Sequence, residues 1–179
     1  QPGAGRPQHP SLRRALEVLG ARLEALRVIY RKLYLVDHHT EIDLGDYLGE
    51  LSSDLFAFHG IDPQAISRDL QLEEVRVNLD QALPLGLIAW EFIVNSLKHA
   101  FPEARRGRIT LSLERMDDNR GRLMLRDNGT GLPPAGNQGS GSGLQLIGRL
   151  VSQIGGSLDL SGPDGLTMTI LFPLHRQAS

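Results

Sequence analysis

Four polar side chains recur between residues 91 and 102 at positions that one face of a helix brings together. At spacings i, i+4, i+7 and i+8, they are Glu91, Asn95, Lys98 and His99. A buried polar group left without a partner costs about 1–3 kcal/mol, so a row of four indicates that something binds there. An amphipathic helix with a solvated polar face is the alternative, and this stretch alone leaves it open.

Two glycine-rich stretches further along the chain could complete such a site. The segment 127–131, Asp-Asn-Gly-Thr-Gly, follows a predicted strand. It could be a simple turn at the end of that strand, or it could aim a carboxylate at a donor such as an adenine amino group. The segment 139–143, Gly-Ser-Gly-Ser-Gly, opens a predicted helix, where backbone N–H groups can face an anion. A flexible linker is the alternative there, and the pattern is neither a P-loop nor a Rossmann fingerprint.

The face of the central helix opposite to the polar row is apolar, which indicates how the row is positioned. This apolar face is enough to bury the helix against a sheet. We place Pro84 in the first turn of the helix, where its missing N–H costs nothing. The apolar residues are Leu87, Trp90, Ile93, Val94 and Leu97.

A long helix with a partner is predicted near the beginning of the sequence. Seven apolar residues there follow a strict 4, 3 spacing over about three heptads, as in a helix of a bundle or dimer. A helix packed on its own domain is the alternative, but it usually has a wider apolar stripe. Ser11 is the expected N-cap. The seam consists of Leu12, Leu16, Leu19, Leu23, Leu26, Tyr30 and Leu33.

The remaining pattern predicts an α+β domain of about five strands and three helices. Asp43 is the expected N-cap of a helix that Gly60 ends, and a third helix runs from residue 144 to Gly155. Ile66–Leu70 and Val75–Leu79 are predicted to form a hairpin. Two further pairs of strands are predicted at residues 109–113 with 123–125, and at 157–160 with 166–172.

Composition and charge exclude several classes of protein. The chain has 179 residues, of which 40% are hydrophobic and 22% charged, as in globular proteins. Its net charge of −2 gives no reason to expect a nucleic-acid partner. No apolar run is long enough to span a membrane, and zero cysteines suit a reducing cytoplasm. Because the chain begins at Gln1, we expect it to be a fragment of a longer protein.

In their order and spacing, residues 91–102, 127–131 and 139–143 resemble the N, G1 and G2 boxes of the gyrase, histidine kinase and MutL ATPase superfamily. More closely, the stretch from residue 82 to residue 102 looks like the ATPase domain of sensor histidine kinases in the light- and stress-responsive bacterial branch. The heptad helix looks like that branch's second dimerisation helix. The resemblance covers about residues 11–173 and implies a Bergerat-fold α/β sandwich, in which a mixed sheet packs on three helices.

This resemblance implies roles for the polar row and for the aspartate of the second stretch. Asn95 would coordinate Mg²⁺ bridging the ATP phosphates, as an oxygen ligand suited to a hard cation. Lys98 and His99 would neutralise phosphate charge. Glu91 would be the base that orients or deprotonates the attacking histidine. Asp127 would bind the adenine amino group.

The resemblance also implies roles for four glycines and a threonine. Gly129 and Gly131 would shape the floor of the nucleotide pocket. Gly141 and Gly143 would hold the lid and its phosphate contacts. Thr167 would lie near the base and support the adenine-binding aspartate.

The sequence departs from the family pattern at several positions. The family's phosphoacceptor histidine lies in a His-His-Arg-type stretch before the heptad helix, and no such stretch occurs here. His9 lies in a proline-rich context, while His38 and His39 follow the heptad helix, so we expect none of them to be the acceptor. A metal site at His38 and His39 is not expected either. Gln145 and Leu166 stand where glycine is common.

We therefore predict the ATP-binding catalytic region of a cytoplasmic sensor histidine kinase that uses ATP and Mg²⁺. Residues 1–10 would be a disordered tail, 11–35 a partial dimerisation helix and 36–179 the catalytic domain. The expected partners are ATP, a response regulator receiver domain and a second copy in the full-length protein, with neither nucleic acid nor a membrane segment. The alternatives are an anti-sigma-type serine kinase and a non-enzymatic scaffold with the same fold.

Overall fold

The computed structural model describes residues 41–102, 106–131, 142–162 and 164–174, together with Gly20, Leu23 and Arg27. The predicted tail, the N-cap at Ser11, most of the heptad helix, His38 and His39, and Gly141 lie outside these residues.

Between residues 41 and 174, the described part of the chain contains seven strands and three α-helices. The strands are β1 (Ile42–Asp43), β2 (Ile66–Leu72), β3 (Arg76–Val77), β4 (Gly107–Arg115), β5 (Arg120–Asp127), β6 (Ser157–Ser161) and β7 (Thr167–Pro173). The α-helices are α1 (Leu44–Phe58), α2 (Leu79–Asn95) and α3 (Ser142–Gln153), and a π-helical turn (Ser96–Ala100) continues α2.

Five of the strands form one mixed sheet, with the order β2-β4-β5-β7-β6. β2 pairs in parallel with β4, and every other pair in this sheet is antiparallel. The predicted hairpins β4–β5 and β6–β7 are confirmed. The mixed sheet with three helices is the α+β Bergerat-type sandwich that the sequence predicts.

The predicted hairpin between residues 66 and 79 is wrong. β2 pairs with β4, from Ile66 opposite Gly107 to Leu72 opposite Leu113, while β3 pairs with β1 in a separate two-stranded ribbon. Parallel strands need a crossover connection, and α2 supplies it here between β2 and β4. Alternation of apolar residues indicates that a strand is half-buried but does not identify its neighbour.

Side-chain caps set where the first two helices begin. Asp43 caps α1 as predicted, since its carboxylate accepts from the N–H groups of Gly45 and Asp46. α2 begins earlier than predicted, because Asn78 accepts from the N–H of Gln81 at 3.0 Å. Residue 79 is therefore helical rather than extended. Pro84 lies inside the helix instead of in its first turn, so one helical hydrogen bond is missing there.

The hydrophobic core lies between the helices and one face of the sheet. On β4 and β5 every second residue is buried, including Leu111 and Leu123, and the intervening residues face away from the helices. α2 packs against both α1 and α3. This arrangement carries the end of α2 to the end of β5, where Ser96, the residue after Asn95, contacts Asp127.

Three described residues report on the predicted heptad helix. Gly20, Leu23 and Arg27 are helical, and Leu23 of the seam is 60% exposed. The guanidinium of Arg27 lies 3.4 Å from the carboxylate of Asp54 on α1. The pairing of this helix with a second copy stays a prediction. No helix among the described residues is long and apolar enough to cross a membrane.

Candidate nucleotide-binding site

The carboxylate and the amide of the polar row are joined to each other. Asn95 Nδ2 donates a hydrogen bond to Glu91 Oε1 at 3.0 Å, one helical turn earlier. Glu91 is half-buried and Asn95 is exposed, so both reach the edge of the core. Because the amide nitrogen is committed to Glu91, the amide oxygen Oδ1 faces away and is the atom that could bind a cation.

The beginning of α3 lies against this pair of side chains. A Cβ built on Gly143 would overlap Glu91 Oε1 and would lie 3.5 Å from Asn95 Nδ2. A larger residue at this position would displace the Glu91 carboxylate from the place that it takes here. The N–H groups of the first turn of α3 carry a partial positive charge, which favours an anion at this point. The structure thus brings Gly143 to the polar row, as the prediction of a phosphate site requires.

Asp127 is held by three hydrogen bonds at the end of β5. It is 3% exposed. Its Oδ1 accepts from the backbone N–H of Gly129 at 2.9 Å and from that of Leu166 at 3.2 Å. Its Oδ2 accepts from the hydroxyl of Ser96 at 2.8 Å. Each carboxylate oxygen can accept two bonds, so Oδ2 has one acceptor position left for a ligand.

Ser96 is a site residue that the sequence analysis missed. It begins the π-helical turn after α2 and is buried, whereas its neighbour Asn95 is exposed. Its hydrogen bond therefore connects the helix that carries the polar row to Asp127, on the buried side of that helix. A signal was available, since Ser96 lies three and four residues after Ile93 and Phe92 and is thus a polar residue on the apolar face of the helix.

Glycines allow the loop after β5 to lie close to the π-helical turn. A Cβ on Gly129 would overlap the backbone of Ala100, and the N–H of Thr130 donates to the carbonyl of Ala100 at 3.0 Å. Gly131 has φ +73°, a left-handed conformation that glycine adopts without strain. The loop and the end of the helix therefore form one continuous surface, as expected of a pocket floor.

The π-helical turn changes where the last two members of the row lie. Lys98 and His99 are both exposed. Lys98 is close enough to His59, the residue after α1, to affect it. Desolvation by burial, and then the positive charge of Lys98, lower the pKa of His59 below its usual value. π-helical turns are common at functional sites. Because this turn is wider than an α-helical one, Lys98 and His99 do not continue the straight row that they would form with Glu91 and Asn95 on an α-helix.

The structure does not bring Thr167 to the carboxylate of Asp127. In the β5–β7 pairing Thr167 is opposite Arg126. Neighbouring residues on a strand point to opposite faces, so Thr167 shares a face with Arg126 rather than with Asp127. Leu166 makes the contact instead, because its N–H donates to Oδ1 and its carbonyl accepts from the N–H of Asp127.

A family of known ATPases matches the part of the chain that contains this site. The family described as histidine kinase-, DNA gyrase B-, and HSP90-like ATPase matches residues 80–176, a segment that contains every predicted site residue. The chain belongs to this family. Its mixed sheet and three helices are the family's ATP-binding domain, of the kind found in sensor histidine kinases.

Two proteins similar in sequence to this chain are histidine kinases. Blue-light-activated histidine kinase 2 from Erythrobacter litoralis is 30% identical over 171 residues, which are 89% of this chain and 47% of that protein. The kinase/phosphatase UhpB from Salmonella typhimurium is 31% identical over 105 residues, which are 59% of this chain and 20% of that protein. The chain thus spans at most about half the length of these relatives.

A solved histidine kinase domain has a similar structure. It belongs to the blue-light-activated histidine kinase EL346 of Erythrobacter litoralis, with 28% identity and a TM-score of 0.80. The match covers 90% of this chain and 81% of that domain. These comparisons do not favour the alternative of an anti-sigma-type serine kinase.

Proposed function

We propose that this domain binds Mg²⁺-ATP and passes the γ-phosphate to a histidine on a dimerisation helix, as the catalytic part of a two-component sensor histidine kinase. The observation that supports the proposal most directly is the convergence of three separate stretches of sequence. Glu91 and Asn95 meet Gly143 at one point, and Ser96, the next residue after Asn95, meets Asp127. The end of α2 therefore adjoins both parts of the proposed site: the phosphate-binding part at Asn95 and Gly143, and the base-binding part at Asp127.

The donor set of the phosphate-binding part fits a hard divalent cation. Asn95 would supply its amide oxygen, which the bond to Glu91 leaves available. When bound, Mg²⁺ would neutralise charge on the phosphates and hold them in place. Lys98 and His99 would add positive charge, since both side chains are exposed at the end of the π-helical turn. Glu91 would orient or deprotonate the attacking histidine.

The base-binding part would accept adenine. Asp127 would accept a hydrogen bond from the adenine amino group through its remaining Oδ2 position, while Gly129 and Gly131 keep the pocket floor free of side chains. Gly141 and Gly143 would hold the lid over the phosphates. A role for Thr167 near the base would require contact through something other than the carboxylate of Asp127, given its position opposite Arg126.

The wider assembly also belongs to this proposal. We expect a homodimer through the heptad helix, a response regulator receiver domain as phosphate acceptor, and a cytoplasmic location. We also expect this chain to bind nucleotide yet fail to phosphorylate itself, because its histidines do not lie in an acceptor stretch before the heptad helix. The receiver domain would then take phosphate only when a longer protein supplies that histidine.

Calorimetric titration with a non-hydrolysable ATP analogue and Mg²⁺ tests the nucleotide part of the proposal. We expect saturable binding that falls when Mg²⁺ is removed, and Asp127→Asn is the negative control. Absence of heat from the unaltered chain would count against the proposal. The phosphoryl acceptor is tested separately, by incubating a chain extended at its amino end with labelled ATP. A phosphohistidine is lost in acid, whereas an acid-stable phosphoserine would contradict the histidine kinase assignment.

A further inference from the structure

A groove lies on the face of the sheet that the helices do not cover. Its volume is about 590 Å³, within the range of pockets that hold small molecules. β2, β4 and β5 supply most of its walls, and β5 ends at the groove with Asp127. The carboxylate of Asp127 is bonded to Ser96 of the helix layer. The groove therefore shares backbone with the nucleotide site but opens on the opposite face.

Three arginines line this groove, and none of them has a carboxylate partner in the part of the chain that the structure describes. Arg126 is opposite Thr110 in the β4–β5 pairing. Arg108 is bonded through its backbone to Asn128, which follows Arg126 by two residues and lies just beyond the end of β5. Arg108 and Arg126 are therefore diagonal neighbours on adjacent strands, about 7–8 Å apart at the backbone. Arg106, also exposed, precedes β4 at the same end.

Two other arginines of the β4–β5 hairpin form ion pairs with carboxylates, unlike the three arginines of the groove. On the same strand and the same face as Arg126, Arg122 forms an ion pair with Glu114. Arg120 forms an ion pair with Asp118 at the β4–β5 turn. Like charges placed side by side on a sheet are destabilising unless a counter-charge is present. At the groove, the described chain supplies no such counter-charge within bonding distance, so an external anion is the natural partner.

We propose that this groove is a binding site for a small ligand with two or more adjacent anionic groups, such as a diphosphate ester. Planar guanidinium groups bind phosphate and carboxylate oxygens through paired hydrogen bonds, which lysines do not reproduce. Ser67 and Thr110 add hydroxyls to the lining. Asp69 lies two strands away from Arg126 in the same row and would accept from a hydroxyl or amino group of the ligand.

Titration with inorganic pyrophosphate, followed by ¹H–¹⁵N NMR spectra of the full chain, tests this proposal. We expect saturable shifts at the amides of Arg108, Thr110 and Arg126. The double variant Arg108→Gln/Arg126→Gln should bind roughly tenfold or more weakly, because it loses two charged donors. Arg122→Gln is the matched control and should stay within about twofold of the unaltered chain. Melting temperatures of both variants show whether they remain folded.

Three results would overturn the proposal. The first is the absence of saturable shifts up to about 10 mM pyrophosphate, a limit well above useful affinities. The second is a set of shifts that sodium chloride of equal ionic strength reproduces, since that would be general screening. The third is a set of shifts that survive in the double variant or are confined to residues near Asn95, which would place pyrophosphate in the nucleotide site. If only the ATP titration failed, the pyrophosphate results would still test the groove, because the groove lies on a different face of the sheet from the nucleotide site.

Discussion

Asp127→Asn is the substitution that most sharply tests how the base is bound. The two backbone N–H groups of Gly129 and Leu166 require an oxygen at the position of Oδ1, at 2.9 and 3.2 Å. The new amide must therefore place its NH₂ group where Oδ2 stood. The hydroxyl of Ser96 can rotate and accept from that NH₂ group, so we expect the free energy of unfolding to change by about 1 kcal/mol or less.

The effect on nucleotide binding should be much larger than the effect on stability. In the unaltered chain the carboxylate would accept a hydrogen bond from the adenine amino group. In the variant an NH₂ group takes that place, so two hydrogen-bond donors face each other and no bond forms. Loss of a hydrogen bond to a charged group is worth about 1.5–3 kcal/mol, which is roughly tenfold to hundredfold in affinity. A 6-oxo purine offers an acceptor at the same position, so inosine triphosphate should gain relative to ATP. The fixed orientation of the amide thus predicts a change of base preference.

Competition titrations with ATP and inosine triphosphate measure both effects. Asp159→Asn, at an exposed position on β6, is the matched control because it makes the same chemical change far from Asp127. The reasoning is refuted if Asp127→Asn binds ATP within about twofold of the unaltered chain. It is also refuted if affinity for inosine triphosphate falls as much as affinity for ATP. Chemical denaturation of both variants separates loss of binding from loss of folding.

Three further predictions follow from other contacts. Gly143→Ala should weaken binding of Mg²⁺-ATP in calorimetry, because the new Cβ would displace the Glu91 carboxylate and with it the hydrogen bond to Asn95. Unchanged affinity would show that this arrangement is not needed. Lys98→Met should raise the pKa of His59 in an NMR titration, because a neighbouring positive charge is removed. In the unaltered chain the folded pKa of His59 lies below the unfolded one, so protonation below about pH 6.5 favours the unfolded state. The variant should therefore lose less stability than the unaltered chain as pH falls through this range. If Lys98 binds phosphate, ATP should raise the same pKa. Gly86→Ala should destabilise the fold by about 1–3 kcal/mol in urea denaturation, because the new Cβ would overlap the buried ring of Tyr47. Tyr47→Phe should not destabilise the fold, since the buried hydroxyl that it removes has no partner among the described residues.

Most local features of the domain follow from the sequence because they depend on near neighbours. The cap at Asp43, the β4–β5 hairpin and the apolar face of α2 involve residues close together in the chain. The site chemistry was also predictable in part. Glu91 and Asn95 are one turn apart on any helix, and glycines before a helix allow an anion site there, although a flexible linker has the same pattern.

Contacts between distant segments could not be predicted, because side-chain periodicity does not identify a partner. The parallel pairing of β2 with β4 is one such contact, and the predicted hairpin failed for that reason. The bond from Ser96 to Asp127 joins residues 31 positions apart. The family resemblance placed Thr167 near that aspartate, whereas strand register places it opposite Arg126.

The sequence by itself determined which chemical groups this domain can offer: a carboxylate, an amide and cations on one helix, an aspartate at a strand end, and glycines beside both. Only the tertiary structure decided which of these groups meet. Lys98, in the π-helical turn, lies close enough to His59 to lower its pKa, and Arg108 and Arg126 have no carboxylate partner among the described residues. The physical reason is that residue type and spacing act within one element, while register and packing act between elements that are far apart in the chain.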